Sequence, residues 1–367
     1  MLIGTCWIAN CAICSSSSTE RGVALDAVAE REVFKTRCKR VRQNYLAPNT
    51  HDSYRTGKLC FLAFMIMMGY DPREPVTDAQ LGDFVIFCCD FKKMRVDSVK
   101  TYLFGVRALH LERGQEWTVW SQCFAVYQAF RGCKRLFGAG RVRVKLEITL
   151  ELLDEIHNWL FSAAGQQKLG RENAATFWAA LLTGTFGLLR KDNISIDKEN
   201  AFNPNRCTAR EDFDFSDPKV TWLKVRWSKT IQFGQRHHWV PFVACKSKLD
   251  VRTALLRCFR LTPQSPVQFG PAFRWLVKGN FGNMTHRQFT AALRSAVAAT
   301  GRNPMDYSGI SLRRGGASIA ANAGVPEKFI KLQGDWTSDA YQRYIKLARE
   351  KRLHLPKALA KLASKFV

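Results

Sequence analysis

The stretch that most constrains this chain runs from Tyr307 to Ile345 and reads YSGISLRRGGASIAANAGVPEKFIKLQGDWTSDAYQRYI. It opens with a short polar turn and the pair Arg313-Arg314. The small residues that follow let a helix end approach a partner closely and leave N–H groups free for an anion. A short helix is expected after the arginine pair, from Ser318 to Ala323, and Gly324 predicts its stop. The next helix is expected over Glu327 to Leu332, and a turn that contains Trp336 then leads into a final helix with Tyr341 and Tyr344. One compact unit therefore offers cationic and phenolic side chains on adjoining segments.

The charge of the chain narrows the class of partner. Lysine and arginine outnumber aspartate and glutamate by 56 to 31 in 367 residues, and the net charge is +25. The basic residues recur along the whole sequence, which suits a protein that embraces a nucleic acid. A generally solubilising surface or a ribosome-associated chain is the alternative. A hydrophobic content of 46% predicts globular domains, and the length suits two of them.

Cysteine usage and hydropathy indicate the cellular compartment in which this chain would fold. Twelve cysteines are scattered, mostly in apolar surroundings, as free thiols are in a reducing compartment. Cys11 and Cys14 have ligand-like spacing, but no second pair follows at a zinc-site distance, so we expect no metal. The start lacks the basic region of a signal peptide, and no run is apolar enough to cross a bilayer. We expect a soluble protein that is not secreted and has no membrane partner.

The first half of the chain predicts a small helical domain. After a poorly ordered segment at residues 1–25, the domain is expected to cover residues 26–133 with four or five helices joined by short connections. The predicted helices are Asp26 to Asn44, one entered at Asn49 or Thr50, one capped by Thr77-Asp78, and Val96 to Arg113.

The second half predicts a mixed domain. Residues 134–145, KRLFGAGRVRVK, are expected to form a basic linker, and the second domain covers residues 146–352. Alternating apolar and polar residues over 220–243 predict a β-hairpin that turns near Gly234. Helices are expected after Ile148-Thr149 to Phe161 and over residues 173–185, 249–261 and 285–300, the last capped by Thr285. Residues 273–276 are expected to lead into a turn, and residues 353–367 are a tail with apolar residues at helical spacing.

These ordered motifs resemble those of tyrosine recombinases, the phage-integrase-like family, and look closest to the recombinases of DIRS-like and Crypton-like eukaryotic mobile elements. That mobile-element group has S-L-R-R-G-G-A-[ST] followed by G-x-W-x-S-D-x-Y-x-x-Y. A looser likeness covers the core-binding helices, where residues 50–55 and 98–107 match T-x-x-x-Y-R and S-x-x-T-Y-L-x-x-[VI]-R. The resemblance implies a mainly α fold in two domains that form a C-shaped DNA clamp. A helical, SAM-like core-binding domain would precede an α+β integrase-like catalytic domain with a small antiparallel sheet.

The resemblance also implies an active site. Nucleophilic attack by a tyrosine on a phosphodiester requires cations for the phosphate oxygens and a proton for the leaving 5′ oxygen. Two arginines would bind the phosphate, a lysine would protonate the leaving oxygen, a tryptophan would support the site, and a tyrosine would form a 3′-phosphotyrosyl intermediate. The residues at these places are Arg190, Arg313, Lys229, Trp336 and Tyr344. Tyr341 is the alternative nucleophile, and no metal or nucleotide cofactor is expected.

Double-stranded DNA is the implied partner. The candidate DNA contacts are Arg55, Lys58, Lys100, Arg107, Arg141, Arg143, Arg226 and Arg314. For any one of these residues that lies on a helix, the alternative to a DNA contact is an ordinary solvated helix face. The adjacent His237 and His238 are interpreted as surface residues near DNA, since a strand places them on opposite faces. Tetramers on paired duplexes are expected, with the tail docked on a neighbour or on its own domain. Such a protein would act in the nucleus if eukaryotic and otherwise in the cytoplasm.

One position departs from the family pattern. The family has His three residues before its second arginine, and this chain has Ile310 there. Isoleucine cannot hydrogen-bond or relay a proton, and the loss of one such contact costs roughly a hundredfold to ten-thousandfold in rate. The candidate substitutes near it in sequence are Arg314 and Ser311. Three hypotheses stay open: a strand-exchange recombinase of a mobile element, a catalytically decayed DNA-binding remnant, and an unrelated basic helical protein that binds RNA or acts as a scaffold.

Overall fold

The computed structural model describes residues 27–117, 122–138, 144–198, 201–264, 270–353, 356–357 and 359–360. Two compact units divide the chain between residues 142 and 143. The predicted contacts Arg141 and Arg143 lie outside the described residues, as do the N-terminal segment through residue 26 and most of the tail. Among the helices that are described, none is both long and apolar enough to cross a membrane.

The first unit is helical. Its elements are α1 (Ala27–Gln43), α2 (Pro48–Met67), α3 (Asp78–Ile86) with a π-helical turn at Phe87–Phe91, α4 (Val96–Glu112) and α5 (Phe124–Phe137). Helices α2 and α4 cross closely at Gly105. A Cβ there would lie 2.6 Å from the Tyr54 carbonyl oxygen, so only glycine fits at this position. Phe61, Phe84 and Leu103 fill the core between the helices.

Two local predictions for this unit are wrong. Helix α2 begins at Pro48 with Ala47 as its N-cap, so neither Asn49 nor Thr50 caps it. Proline suits the first helical position because its missing N–H would have no partner there. Helix α5 runs to Phe137 and therefore takes the first four residues that we assigned to the linker. The predicted cap at Thr77 is confirmed, since its side chain accepts a hydrogen bond from the Gln80 N–H.

The second unit combines eight helices with two small antiparallel sheets in its described part. The helices are α6 (Leu150–Leu160), α7 (Ala163–Leu169), α8 (Arg171–Phe186), α9 (Val251–Leu261), α10 (His286–Ala299), α11 (Gly309–Asn322), α12 (Glu327–Gly334) and α13 (Arg349–Arg352). The strands are β1 (Phe213–Asp214), β2 (Val220–Val225), β3 (His238–Val243), β4 (Arg274–Val277) and β5 (Asn280–Asn283). Strand β2 lies between β1 and β3, and β4 pairs with β5. The predicted mainly α fold with a small antiparallel sheet is confirmed.

The hairpin of β2 and β3 is confirmed, and its register pairs Leu223 with Val240 and Lys224 with Trp239. Burial alternates along both strands as the sequence alternates. Three other predictions need correction. The arginine pair lies inside α11, which begins at Gly309, rather than before a helix. Residues 273–276, expected to lead into a turn, contribute a strand to a second hairpin. The segment after Trp336 forms a 3-10 turn at Asp339–Arg343 rather than an α-helix.

Helix α11 packs directly on α8, the most buried helix of the unit. A Cβ at Gly316 would lie 2.0 Å from the Thr185 carbonyl oxygen, and one at Gly315 would lie 2.3 Å from that of Ile148. Real Cβ atoms do not approach a carbonyl that closely, so both positions require glycine. The expectation that small residues after the arginine pair permit a close approach is correct, although they sit in mid-helix rather than at its end.

We expect Gly316→Ala to lower the free energy of unfolding of the second unit by about 1–3 kcal/mol, because the added methyl group must push α11 away from α8. Chemical denaturation followed by far-UV circular dichroism measures the change. Gly132→Ala is the matched control, since its Cβ meets nothing within 4 Å in helix α5. That substitution should leave stability unchanged or raise it by up to about 1 kcal/mol. Equal effects of the two substitutions would contradict the packing argument.

Candidate active site

Arg313 is the centre of the site. Only 4% of its surface is exposed, although it is an arginine in mid-helix. Its Nη1 donates to the Leu188 carbonyl at 2.6 Å, and its Nη2 donates to the Gly334 carbonyl at 2.5 Å. The guanidinium carbon lies 3.8 Å from the centre of the Trp336 ring, which is cation–π distance. The arginine thus joins three separate segments of the chain while its charge stays desolvated.

Trp336 follows α12 and packs among the other aromatic residues of the motif. Its ring lies 5.5 Å from that of Tyr344 and 6.1 Å from that of Tyr341, so it contacts both tyrosines and Arg313. A Cβ at Gly334 would lie 1.9 Å from the indole, so glycine is required for this packing. The tryptophan, rather than Asp335, therefore faces the buried arginine.

The two tyrosines differ in access. Tyr341 is fully buried in a small cluster with Leu188, Ala317 and Ile330. Tyr344 is partly exposed, and its ring centre lies 5.8 Å from the Arg313 guanidinium carbon. A nucleophile must reach its substrate, so the geometry favours Tyr344 over the alternative, Tyr341.

Arg190 reaches the same place from the end of α8. Leu188 has a positive φ of 50°, uncommon for a residue other than glycine, and this turn aims its carbonyl at Arg313. Arg190 follows, half-buried. Burial, and then the neighbouring charge of Arg190, lower the pKa of Arg313 to about 9, while Tyr344 and Asp335 oppose the shift. The charges of Arg190 and the desolvated Arg313 repel each other, and an anion bound between them would relieve that repulsion.

Lys229 lies in the loop between β2 and β3, with its side chain exposed. The backbone on either side of it is fixed. Asn193, three residues after Arg190, donates to the Trp227 carbonyl at 2.9 Å. Thr230 bonds to the buried Ser228 at 2.8 Å through their hydroxyls and donates to the Asp335 carboxylate. The four candidate catalytic segments are therefore linked by direct contacts.

His238 corrects one prediction and supports this part of the site. It is 9% exposed rather than a surface residue, and its Nε2 lies 3.0 Å from the Gln333 carbonyl. Gln333 in turn donates to the carbonyls of Phe186 and Pro241. These bonds fix the end of α12 against β3 and the end of α8. His237 is exposed.

Sequence reasoning missed a second polar network beside Arg190. The Asp192 carboxylate lies 3.1 Å from His286 Nε2, and Ser195 Oγ lies 2.7 Å from His286 Nδ1. The hydrogen bond from His286 holds the pKa of Asp192 below its usual value, although burial acts in the opposite direction. Ser195 also donates to the Lys191 carbonyl, so the network braces the turn that carries Arg190. The only signal in the sequence was the polar run directly after that arginine.

The predicted DNA contacts have different surroundings. Arg55 and Arg107 are exposed, while Lys58 pairs with Glu112 at 2.5 Å and Lys100 pairs with Asp97 at 3.5 Å. In the second unit, Arg226 bonds to the buried Asp212 at 2.5 Å and to the Pro204 carbonyl, so its side chain holds the fold together. Arg314 donates to the Arg343 carbonyl, next to Tyr344. Contacts with DNA stay predictions for all of these residues.

A metal site is not evident in the described ranges, since no three His, Cys, Asp or Glu side chains there are grouped to hold an ion. The cationic groups around Arg313 are the ones that suit an anionic substrate directly.

Comparison with known proteins reveals a shared architecture. No family model and no curated protein matches the sequence. Among solved structures, the Tn1549 transposon integrase in complex with transposon right end DNA matches with a TM-score of 0.55 at 12% identity, over 89% of this chain and 98% of that chain. The XerH site-specific recombinase bound to difH substrate matches with a TM-score of 0.55 at 10% identity, over 84% and 78%. A lambda integrase dimer bound to a COC′ core site matches with 0.53 at 13%, over 86% and 95%.

The chain has the tyrosine-recombinase fold. This fold agrees with the predicted integrase-like catalytic domain, and the matched regions include most residues of both units. At these identities the likeness concerns architecture, so the roles of individual residues depend on the contacts described above.

We expect Arg313→Lys to lower the free energy of unfolding by about 1–3 kcal/mol, because a lysine cannot bond to both carbonyls and stack on Trp336. Urea denaturation followed by far-UV circular dichroism measures the change in stability. Arg343→Lys, at an exposed position close to Tyr344, is the matched control and should change stability by less than about 0.5 kcal/mol. An unaltered midpoint for Arg313→Lys would show that the buried bonds do not support the fold.

Proposed function

We propose that this protein is a tyrosine recombinase that cleaves and rejoins DNA through a 3′-phosphotyrosyl bond at Tyr344. The observation that carries the proposal is the position of Arg313, buried against Trp336, with the Tyr344 ring beside it and the charge of Arg190 close by. A fold that desolvates one cation beside another, next to an accessible phenol, suits phosphoryl transfer.

The chemistry divides among the chain's own residues. Arg190 and Arg313 bind the non-bridging oxygens of the scissile phosphate and stabilise the charge that develops on them. The partly exposed Tyr344 hydroxyl gives its proton to water, and its oxygen attacks the phosphorus, which forms the 3′-phosphotyrosyl bond as the bond to the 5′ oxygen breaks. Lys229 gives a proton to that departing oxygen, which leaves as a 5′-hydroxyl group. Rejoining is the reverse sequence with the 5′-hydroxyl of another strand as the nucleophile.

The implied partner is double-stranded DNA. The net charge of +25 supports it, and the matched integrase and recombinase structures contain DNA. We infer further that the chain comes from a mobile element of the DIRS-like or Crypton-like kind, on its C-terminal motifs, and that it self-associates on paired duplexes in the nucleus. The two candidate lobes are a core-binding domain that ends with α5 at Phe137 and a catalytic domain after residue 145.

A covalent adduct tests the proposal directly. Nicked duplexes with randomised sequence around the nick lose a short 5′-hydroxyl fragment after cleavage, so the protein stays attached and migrates slowly on a denaturing gel. We expect an adduct with the wild-type protein, loss of at least about 100-fold with Tyr344→Phe, and retention with Tyr341→Phe, because a fully buried phenol cannot reach DNA. An adduct that disappears only with Tyr341→Phe would reverse the assignment of the nucleophile.

A second candidate function has one observation in its favour. Ile310 lies in the first turn of α11 with 46% of its surface exposed, three residues before Arg313. The Ser311 hydroxyl accepts from the Ser308 N–H as part of the helix cap, and Arg314 bonds to the Arg343 carbonyl. Neither neighbour thus replaces a missing acid–base group. This favours a catalytically decayed remnant that still binds duplex DNA.

The two candidates separate on the substitution Ile310→His. An exposed position accepts the change without repacking, and the imidazole adds an acid–base group near the phosphate site. We expect the adduct to form about 100-fold faster than in the wild-type protein. Ile310→Gln, similar in size but without a titrating group, is the control. Duplex binding without an adduct in either protein would identify a decayed copy that lacks more than this histidine, and absence of duplex binding would leave the RNA-binding or scaffold hypothesis.

A further inference from the structure

Asp335 occupies an unusual place at the end of α12. It adopts the left-handed conformation with φ of 53°, and only 10% of its side chain is exposed. Asp335 lies between Gly334, whose carbonyl binds Arg313, and Trp336, whose ring stacks on that arginine. The carboxylate of this left-handed residue is bonded to the loop between β2 and β3.

Both oxygens of the carboxylate are used on that loop. Oδ2 accepts from the Thr230 hydroxyl, and Oδ1 accepts from Arg236 Nη2 at 2.5 Å. The two partners lie on opposite arms of the loop, so one side chain fastens both arms to the end of α12. Burial alone would raise the pKa of Asp335, but the bonds from Thr230 and Arg236 outweigh it and lower the pKa. The group is therefore an ionised acceptor at neutral pH rather than an acid that supplies a proton.

The rest of the loop is organised around the same point. Gln235 donates from its side chain to the Thr230 carbonyl at 3.1 Å, and Gln232 donates to the Lys229 carbonyl at 2.7 Å. Lys229 directly precedes Thr230 and keeps an exposed side chain on this fixed backbone. Asp335 therefore connects the loop that carries Lys229 to the end of α12, where Gly334 and Trp336 contact Arg313.

We propose that Asp335 is a positioning residue: by fastening Thr230 and Arg236 it holds Lys229 at the phosphate bound by Arg313. The inference rests on the proposed function, since it names what sets the proton donor for the leaving 5′ oxygen. Without the carboxylate, the loop loses its link to α12, and Lys229 no longer stays within proton-transfer distance.

The leaving group distinguishes this role from a merely structural one. A 5′-bridging sulfur departs as a thiolate without a proton, because a thiol is far more acidic than an alcohol. A variant that fails only in protonating the leaving group is therefore rescued by sulfur. A variant that has lost phosphate binding or folding is slow with both leaving groups.

The experiment measures single-turnover adduct formation with oxygen-leaving and sulfur-leaving versions of a duplex that the wild-type protein cleaves. We expect Asp335→Ala to slow the oxygen substrate by about 10- to 100-fold and to return to within about threefold of wild type on the sulfur substrate. Lys229→Ala should share this pattern, and duplex binding should stay within about twofold. Asp339→Ala is the matched control, since Asp339 is exposed and pairs with Lys331 rather than with the loop.

A second measurement needs no catalysis. Amide hydrogen exchange in the DNA-free protein should accelerate at residues 229–236 in Asp335→Ala but not in Asp339→Ala. Thr230→Val removes the bond from the loop side with little change in shape. It should reproduce both results if Asp335→Ala folds poorly.

The outcomes distinguish a failure of the positioning role from a failure of the proposed function. Equal slowing of Asp335→Ala on both leaving groups, or unaltered exchange in the loop, overturns the positioning role while the proposed function stands. Wild-type protein that forms no adduct with either substrate overturns the proposed function, and the positioning role with it.

Discussion

The second unit depends on the buried guanidinium of Arg313. A charge this desolvated costs free energy unless its donors are used, and two of them bind carbonyls that no helix satisfies internally. One carbonyl lies just after α8 and the other at the last residue of α12. The arginine therefore closes the junction of three helices, and the same junction presents Arg190 and Tyr344. Fold and candidate chemistry share one set of hydrogen bonds.

The surrounding sequence is what permits this junction. Glycines 315 and 316 bring α11 against α8, and Gly334 leaves room for the indole of Trp336. Leu188 accepts a positive φ because its side chain is held in the small cluster around Tyr341. Strained backbone of this kind persists only where surrounding contacts over-determine it. Two of the four described non-glycine residues with positive φ, Leu188 and Asp335, lie at this junction.

Local patterns explain what could be predicted from the sequence. Period-two alternation located the β2–β3 hairpin, and side-chain oxygens before apolar runs located the caps at Thr77 and Thr285. Ordered motifs indicated which arginine, tryptophan and tyrosine to consider together. The start of α11 was missed because Gly-Ile-Ser has little helix propensity, and its helical state depends on the Ser308 cap and on packing against α8. The role of Asp335 was missed because its left-handed backbone and both of its partners are tertiary features.

One consequence concerns how such a gene would decay. Arg313 supports the fold through its bonds to two carbonyls, whereas Ile310 and Tyr344 lie at positions with access to solvent. Selection for a soluble, folded product would keep the arginine long after selection for strand exchange had ceased, while the accessible positions would be free to drift. In lineages of this protein, an intact arginine at 313 would therefore record foldability, and the accessible positions beside it would record how long the proposed strand exchange stayed under selection.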